Sequence, residues 1–407
     1  MDVSATPEVV FDAFHPRYRS NPYPRYALVR DYTPLYPMGP GMFLATRYQE
    51  CSTVLTDPAW GHGYEDGINP FRPGVAPDEV PGSMLRMDPS DHSRIRGMVN
   101  KFFTPRNVDK MKPHIEARVA ELLEKVVAAG EIDLMAEFAR PLTLSITAEL
   151  LGVPVEDYPL VMAWSAEIVR GTDPDILQTP ENLARRLPAL REFEAYFADL
   201  VARKRKEPAD DLLSDLCAAQ RDGADLGDAD FHALATLLLI GGYETTADVI
   251  GKGVLALLRN PGQIALWREQ PDLAPYAVDE LLRYEPPVQF TTRVALEERE
   301  LSGRTFTRGE GVVVMIASAN RDPEAYPDPD RLDITRYAAR PPAVRHFSLS
   351  GGIHFCLGAR LGRMEIEHAV DALLRRAPAL ALTGTEPTWR QTIAFHGLTS
   401  LPVRLRD

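Results

Sequence analysis

Cysteine is nearly absent: Cys51, Cys217 and Cys356 are the three thiols in a chain of 407 residues. So few, so scattered and odd in number, they support neither a disulfide framework nor a cysteine-rich zinc site. Positive charge is in deficit, with 45 Lys and Arg against 58 Asp and Glu, a formal net charge of −13. That balance argues against nucleic acid or an anionic membrane surface as the main partner. The opening MDVSATPEVVFDAF has no basic segment leading into an apolar run, so no signal peptide is expected. The longest apolar stretch, around Leu234–Gly242, falls far short of a membrane span. Internal repeats and low-complexity tracts are missing too. These absences leave a globular chain, expected in the cytoplasm, whose 45% hydrophobic content can bury a large core.

Proline is plentiful, at 35 residues, and mostly punctuates loops. Between them the middle of the chain reads as helix after helix. Ile115, Val119, Leu122 and Val126 recur at helical spacing, and Gly130 closes that run. Thr179-Pro180 opens another, in which Leu190, Phe193, Phe197 and Leu200 share a face before the charged stop RKRKEP. Asp228 is a candidate cap for a third, from Ala229 to about Leu258, whose centre is apolar on all sides, as in a helix buried mid-molecule. Short alternating runs occur in GMFLATRY, after Pro287 and near the C-terminus. The expected class is mainly α, a single domain over residues 1–407 with small sheets at its edge.

One thiol stands out. Cys356 lies in HFSLSGGIHFCLGARLGRMEIE, behind Gly351 and Gly352 and ahead of Gly358. A lone cysteine is most simply a small buried hydrophobe. It can also be a nucleophile with a histidine base, and His354 is close in sequence. The third reading is a metal-binding thiolate. The glycines let the backbone turn freely and approach something bulky, which a plain core cysteine does not require. Leu357, Leu361 and Met364 share a helical face, which puts Cys356 at or just before a helix N-terminus, where thiolate is favoured. With no second cysteine nearby, such a thiolate suits a single axial bond to a haem iron.

LSGGIHFCLG resembles the haem-binding signature of the cytochrome P450 family, Phe-Gly-x-Gly-x-His/Arg-x-Cys-x-Gly. Gly352, His354, Cys356 and Gly358 match, whereas Leu349 stands where the family has Phe and Ser350 where it has Gly. Further matches follow in order along nearly the whole chain. Glu280 and Arg283 fit the family's Glu-x-x-Arg, with Arg331 in YPDPDRLDITR as the expected third member of a bracing triad. LIGGYETTADV fits the family's Gly-rich acid–alcohol segment on the central helix. There Gly241 would leave room for dioxygen, and Glu244 and Thr245 would relay protons. His92 and Arg96 fit a His-x-x-x-Arg pattern, and Arg293 the arginine on the strand after Glu-x-x-Arg. With His354 they would hold the propionates of haem b, iron protoporphyrin IX.

The resemblance implies a P450-fold, soluble bacterial-type monooxygenase that hydroxylates a small organic substrate, a natural-product intermediate by analogy of fold. No flavin, nicotinamide or cluster motif is present, so ferredoxin and ferredoxin reductase are the expected electron donors. Arg94, Lys101, Arg345, Arg360 and Arg363 would form their docking patch, or an ordinary solvated surface. The expected pocket is lined by Trp60, Ile240, Val288, Phe290, Phe395 and His396, with further walls near Trp164 and Leu183. His62, Tyr64, Gln289 and His396 are candidates for a polar contact to substrate, or they face water. A rival reading is a catalytically silent haem protein acting as sensor or scaffold, against which the intact Glu244-Thr245 pair speaks.

Overall fold

The computed structural model describes residues 18–71, 83–170, 173, 179–340 and 343–406; the N-terminal segment read for a signal peptide and the side chain of Leu183 lie outside them. The principal helices are α1 (Tyr23–Tyr32), α2 (Tyr48–Thr56), α3 (Pro89–Asn100), α4 (Lys112–Ala129), α5 (Arg140–Leu150) and α6 (Tyr158–Arg170). Then come α7 (Pro180–Lys206), α8 (Asp228–Leu239), α9 (Thr245–Arg259), α10 (Ala274–Tyr284) and α11 (Ala359–Arg376). In α4, Ile115, Val119, Leu122, Leu123 and Val126 are buried, and Gly130 ends the run at φ +86°, as its position predicts. Thr179 caps α7 through its side chain, which accepts from the amide of Asn182 at 3.2 Å.

The third expected helix differs at both its start and its middle. It begins at Asp228 with Gly227 as cap, and Asp230 rather than Asp228 closes the box by accepting from the Gly227 amide at 2.9 Å. It then widens into a π turn, Ile240–Glu244, that joins α8 to α9. By length and composition Asp228–Arg259 could cross a membrane, although the apolar stretch read from the sequence is far shorter; more than half of its apolar window is buried inside the protein. It is the core helix.

Small sheets sit at the edge, where the alternating runs predict them. Strands β1 (Leu35–Gly39), β2 (Met42–Ala45) and β3 (Trp60–Gly61) join β5 (Thr291–Ala295) and β8 (Gly311–Val314) in the order β1-β2-β8-β5-β3, with β2 and β8 parallel. A three-stranded sheet orders β4 (Glu131–Asp133), β12 (Pro402–Arg404) and β9 (Ala381–Leu382). Two hairpin-like pairs complete the set, β6 (Arg299–Leu301) with β7 (Arg304–Phe306), and β10 (Thr388–Trp389) with β11 (Leu398–Ser400). One apolar cluster joins α4, α5, α9, α10 and α11. A second joins α3, α6, α7 and α8. The Cys356 loop and the π turn lie where these two cores meet: Leu349 packs on the first, Leu357 and Phe395 on the second.

Candidate active site

The loop ahead of α11 is held by its own backbone. The Cys356 amide donates to the carbonyl of Leu349 at 2.9 Å, and the Ser350 amide to that of Phe347 at 2.7 Å. Gly352 has φ +60°, and a Cβ there would sit 2.4 Å from the carbonyl oxygen of Leu55, so its freedom serves close packing on α2. A Cβ on Gly358 would meet nothing within 4 Å, which leaves open space beside the sulfur. Ser350 also adopts φ +60°, which explains why the signature carries glycine at that position. Desolvation pushes the Cys356 thiol up, while the Gly358 amide, Arg96 and Arg363 pull it down.

Behind the loop, Glu280 and Arg283 are fully buried rather than solvated. Arg283 donates to both carboxylate oxygens of Glu280 at 2.7 and 2.8 Å. It also donates to the carbonyls of Asn320 and Pro329, both at 2.8 Å. The third member is Arg336, not Arg331: Arg336 Nε reaches both Glu280 oxygens at 3.2 and 3.1 Å. Arg331 offers only its carbonyl, which accepts from Arg283 and Arg336. Asn320 carries the brace to the loop, accepting from the Phe347 amide at 2.8 Å and donating to Ser348 Oγ at 2.8 Å.

In front of the loop lies a cluster of unclaimed donors. His92 and His354 approach with ring centroids 4.5 Å apart, and His62 meets His354 at 4.9 Å. The Nε2 atom of each of these three imidazoles is buried without a hydrogen-bond partner. Arg293 is buried beside them, and burial pushes its guanidinium down to about 10 despite Asp88. Burial together with Arg293, His92 and Arg96 pushes His354 down to about 3. Arg96 donates to the Phe355 carbonyl at 2.7 Å, tying α3 to the cysteine loop. His62 is an addition to the sequence reading, which offered it as a substrate contact. Asp88 puts it there, accepting from the amides of His62 and Gly63 at 2.7 and 2.8 Å just ahead of α3. Among the described residues no carboxylate bonds the Nε2 atom of any of the three imidazoles, and buried polar atoms ordinarily find a partner.

Facing the cysteine loop is the π turn. A Cβ on Gly241 would meet nothing within 4 Å, so the core helix opens onto space there. Thr245 Oγ1 donates to the Gly241 carbonyl at 2.5 Å. Glu244 is 2% exposed, a carboxylate buried mid-helix. Its carboxylate accepts from Ser165 Oγ at 3.0 Å and from Arg390, which also pairs with Asp248 at 3.3 Å. A buried carboxylate keeps its charge only with such partners.

Residues 268–387 match the Cytochrome P450 family. Over 96% of this chain and 97% of the relative, it is 38% identical to cytochrome P450 107B1 of Saccharopolyspora erythraea. To 6-deoxyerythronolide B hydroxylase of the same organism it is 36% identical, over 99% and 100% of the two chains. The chain belongs to the cytochrome P450 family. Among solved structures, that of the bacillaene polyketide synthase cytochrome P450 PksS of Bacillus subtilis superposes with a TM-score of 0.86 at 33% identity, covering 97% and 99% of the chains. The fold is therefore the P450 fold, and this P450 is a haem-dependent monooxygenase.

The site fits that cofactor. A lone thiol on a braced loop, open space at Gly241 and Gly358, and three unpartnered imidazole nitrogens beside the buried Arg293 for two carboxylates match an iron porphyrin's needs.

The expected pocket of the P450 divides. Ile240 lies on the π turn, and Val288 and Phe395 are drawn together by a backbone bridge. Phe290 packs beside β8 on the cluster under α1. Trp60 is a correction: its indole stacks edge-on at 5.1 Å with Phe306 in the core of the sheet. So is His396, whose ring nitrogens are taken by Lys252 at 3.3 Å and the Arg19 carbonyl at 2.6 Å. Gln289 is spent as well, on the Pro286 carbonyl and the Tyr26 hydroxyl. Tyr64 stacks on His62.

Proposed function

We propose that this P450 binds haem b through Cys356, seats its propionates among His62, His92, Arg96, Arg293 and His354, and oxidises an apolar natural-product intermediate. The observation that carries the reading is the set of three buried, unclaimed imidazole Nε2 atoms beside a lone thiol on a braced loop. Haem, when bound, supplies the iron at which dioxygen is activated for insertion into a C–H bond. The protein's own part is to hold, orient and meter protons. Thr245 Oγ1 holds a proton over Gly241, where space remains for dioxygen and water. Glu244 feeds that site only after its carboxylate leaves Ser165 and Arg390.

Two facts favour an apolar substrate. The side chains of Gln289 and His396 are consumed by internal bonds, so the apolar Ile240, Val288 and Phe395 are what remains of the expected lining. Relatives include a 6-deoxyerythronolide B hydroxylase and a polyketide synthase P450. Electrons would come from ferredoxin and its reductase, in the cytoplasm, with the chain acting as one domain.

The test begins with an absorption spectrum of the purified protein. Cys356→Ser is expected to abolish the reduced carbon monoxide band typical of a thiolate ligand; retention of that band would overturn the ligation. Spin-state shifts across a panel of apolar and polar ligands, followed by product mass spectrometry with ferredoxin and reductase, then test the substrate class. A shift confined to charged ligands contradicts it.

A further inference from the structure

Among the described residues, two helical segments widen into π turns, at Met135–Ala139 just ahead of α5 and at Ile240–Glu244 ahead of α9. Such widened turns loosen the hold of the backbone ladder on nearby carbonyls, and side-chain hydroxyls commonly take them up. One buried hydroxyl sits between the two. Thr143 of α5 is fully buried, and its Oγ1 lies 3.1 Å from the carbonyl of Ala139 and 3.0 Å from that of Tyr243. The first acceptor ends one π turn and the second lies within the other. A hydroxyl has a single proton, so it donates to one carbonyl at a time and links both turns through one side chain.

The contact is close by construction. A Cβ on Gly242 would come within 2.9 Å of Thr147 Oγ1, one turn along α5 from Thr143, so glycine there lets the two helices meet. Within the π turn, then, the Gly241 carbonyl is taken from inside by Thr245 and the Tyr243 carbonyl from outside by Thr143. Gly241, which opens onto space, and Thr245, which bonds its carbonyl, hang on a segment pinned at both places.

We propose that Thr143 is a positioning residue of this P450, its hydroxyl fixing the π turn that presents Gly241 and Thr245 to dioxygen. The inference rests on the reading of that turn as the oxygen groove. Replacing the hydroxyl by a methyl of the same shape removes the pin and takes from the Tyr243 carbonyl its donor on α5. The turn then samples the regular α-helical ladder, which carries Thr245 away from its place.

The test uses the haem-loaded protein with Thr143→Val and Thr143→Ser. Thr143→Val is expected to speed amide exchange across residues 243–247 roughly threefold to tenfold, the range one neutral hydrogen bond commands. It should also broaden the stretching band of carbon monoxide bound to the reduced protein and raise the peroxide released per electron pair. Thr143→Ser, which restores only the hydroxyl, should return all three toward wild type. Should Thr143→Val fail to load haem, Thr143→Ala, which leaves room for a water, is read by the same measurements with an intermediate effect expected. Wild-type exchange, stretch and coupling in Val or Ala would overturn the proposal, as would failure of Ser to rescue. A wild-type protein without the thiolate-type carbon monoxide band would sink the haem reading instead, so the two failures are distinct.

Discussion

At the scale of single residues, the brace behind the cysteine loop separates Arg336 from Arg331. Both lie in the same loop and are five residues apart, and spacing from Glu280 favours neither. Only packing decides, because Arg336 turns inward to the carboxylate while Arg331 stays exposed and lends its carbonyl. Charge-assisted hydrogen bonds are each worth about 1.5–3 kcal/mol, so Arg336→Ala is expected to cost roughly that in urea unfolding and to speed haem loss. Arg331→Ala should stay within about 0.5 kcal/mol. Equal effects would contradict the assignment. Ser350 makes the opposite case, of a departure legible in sequence whose cause is conformational. A non-glycine residue in the left-handed region costs about 1–2 kcal/mol. Glycine there returns about 0.5–1 kcal/mol of that as unfolded-chain entropy. Ser350→Gly should therefore stabilise the fold by a net of up to about 1.5 kcal/mol, read as a higher thermal midpoint; a lower midpoint would show that the serine hydroxyl is worth more than the strain.

At the scale of elements, periodicity revealed what is repetitive and missed what is exceptional. Helix α4 and the buried face of α7 are legible because residues three and four apart share a surface. The π turn is not, since an all-apolar run looks the same whether its ladder is regular or slipped. Nor could sequence show that His396 and Gln289 are spent, because their partners Arg19 and Tyr26 lie 377 and 263 residues away. The same helix carries its own pH signature. Burial pushes the Asp248 carboxyl up from 3.8 to about 6, with Arg390 and Lys252 opposing. The unfolded chain loses that proton first, so this group's contribution to stability falls as pH rises between about 4 and 6, by about 3 kcal/mol. Asp248→Asn, which keeps the size and one acceptor, is expected to remove that slope from urea unfolding profiles. An unchanged slope would place the titration elsewhere.

At the scale of the whole molecule, the net charge of −13 repels an acidic electron carrier at long range, so any docking must come from a local basic surface. Of the five basic residues expected to form it, three are committed within the fold. Arg94 pairs with Asp91, Asp225 and Asp230; Arg360 grips Asp109 through both oxygens; Arg363 binds Asp279 at 2.7 Å. Among the described residues, two form no ion pair with a carboxylate, although Asp279 acts on Arg345 from a distance. Arg345 lies over the ring of Phe355, next to Cys356, at 3.8 Å. Lys101 sits over Phe102 at the end of α3, the helix that Arg96 ties to Phe355. An acidic ferredoxin meeting the thiolate face would find these two cations, with the exposed Ile353 as an apolar contact. Lys101→Glu and Arg345→Glu are therefore expected to lower ferredoxin-supported kcat/KM about tenfold each at low salt, mainly through KM, since about 1.4 kcal/mol of steering and contact is tenfold. The loss should shrink as ionic strength rises and the Debye length falls to about 8 Å. Substrate-induced spin shifts and the carbon monoxide band should not move, because neither side chain bonds the cysteine. Arg360→Glu, whose cation is already balanced by Asp109, should cost less than either; an equal or larger loss there would shift the docking site toward α11 and overturn the assignment.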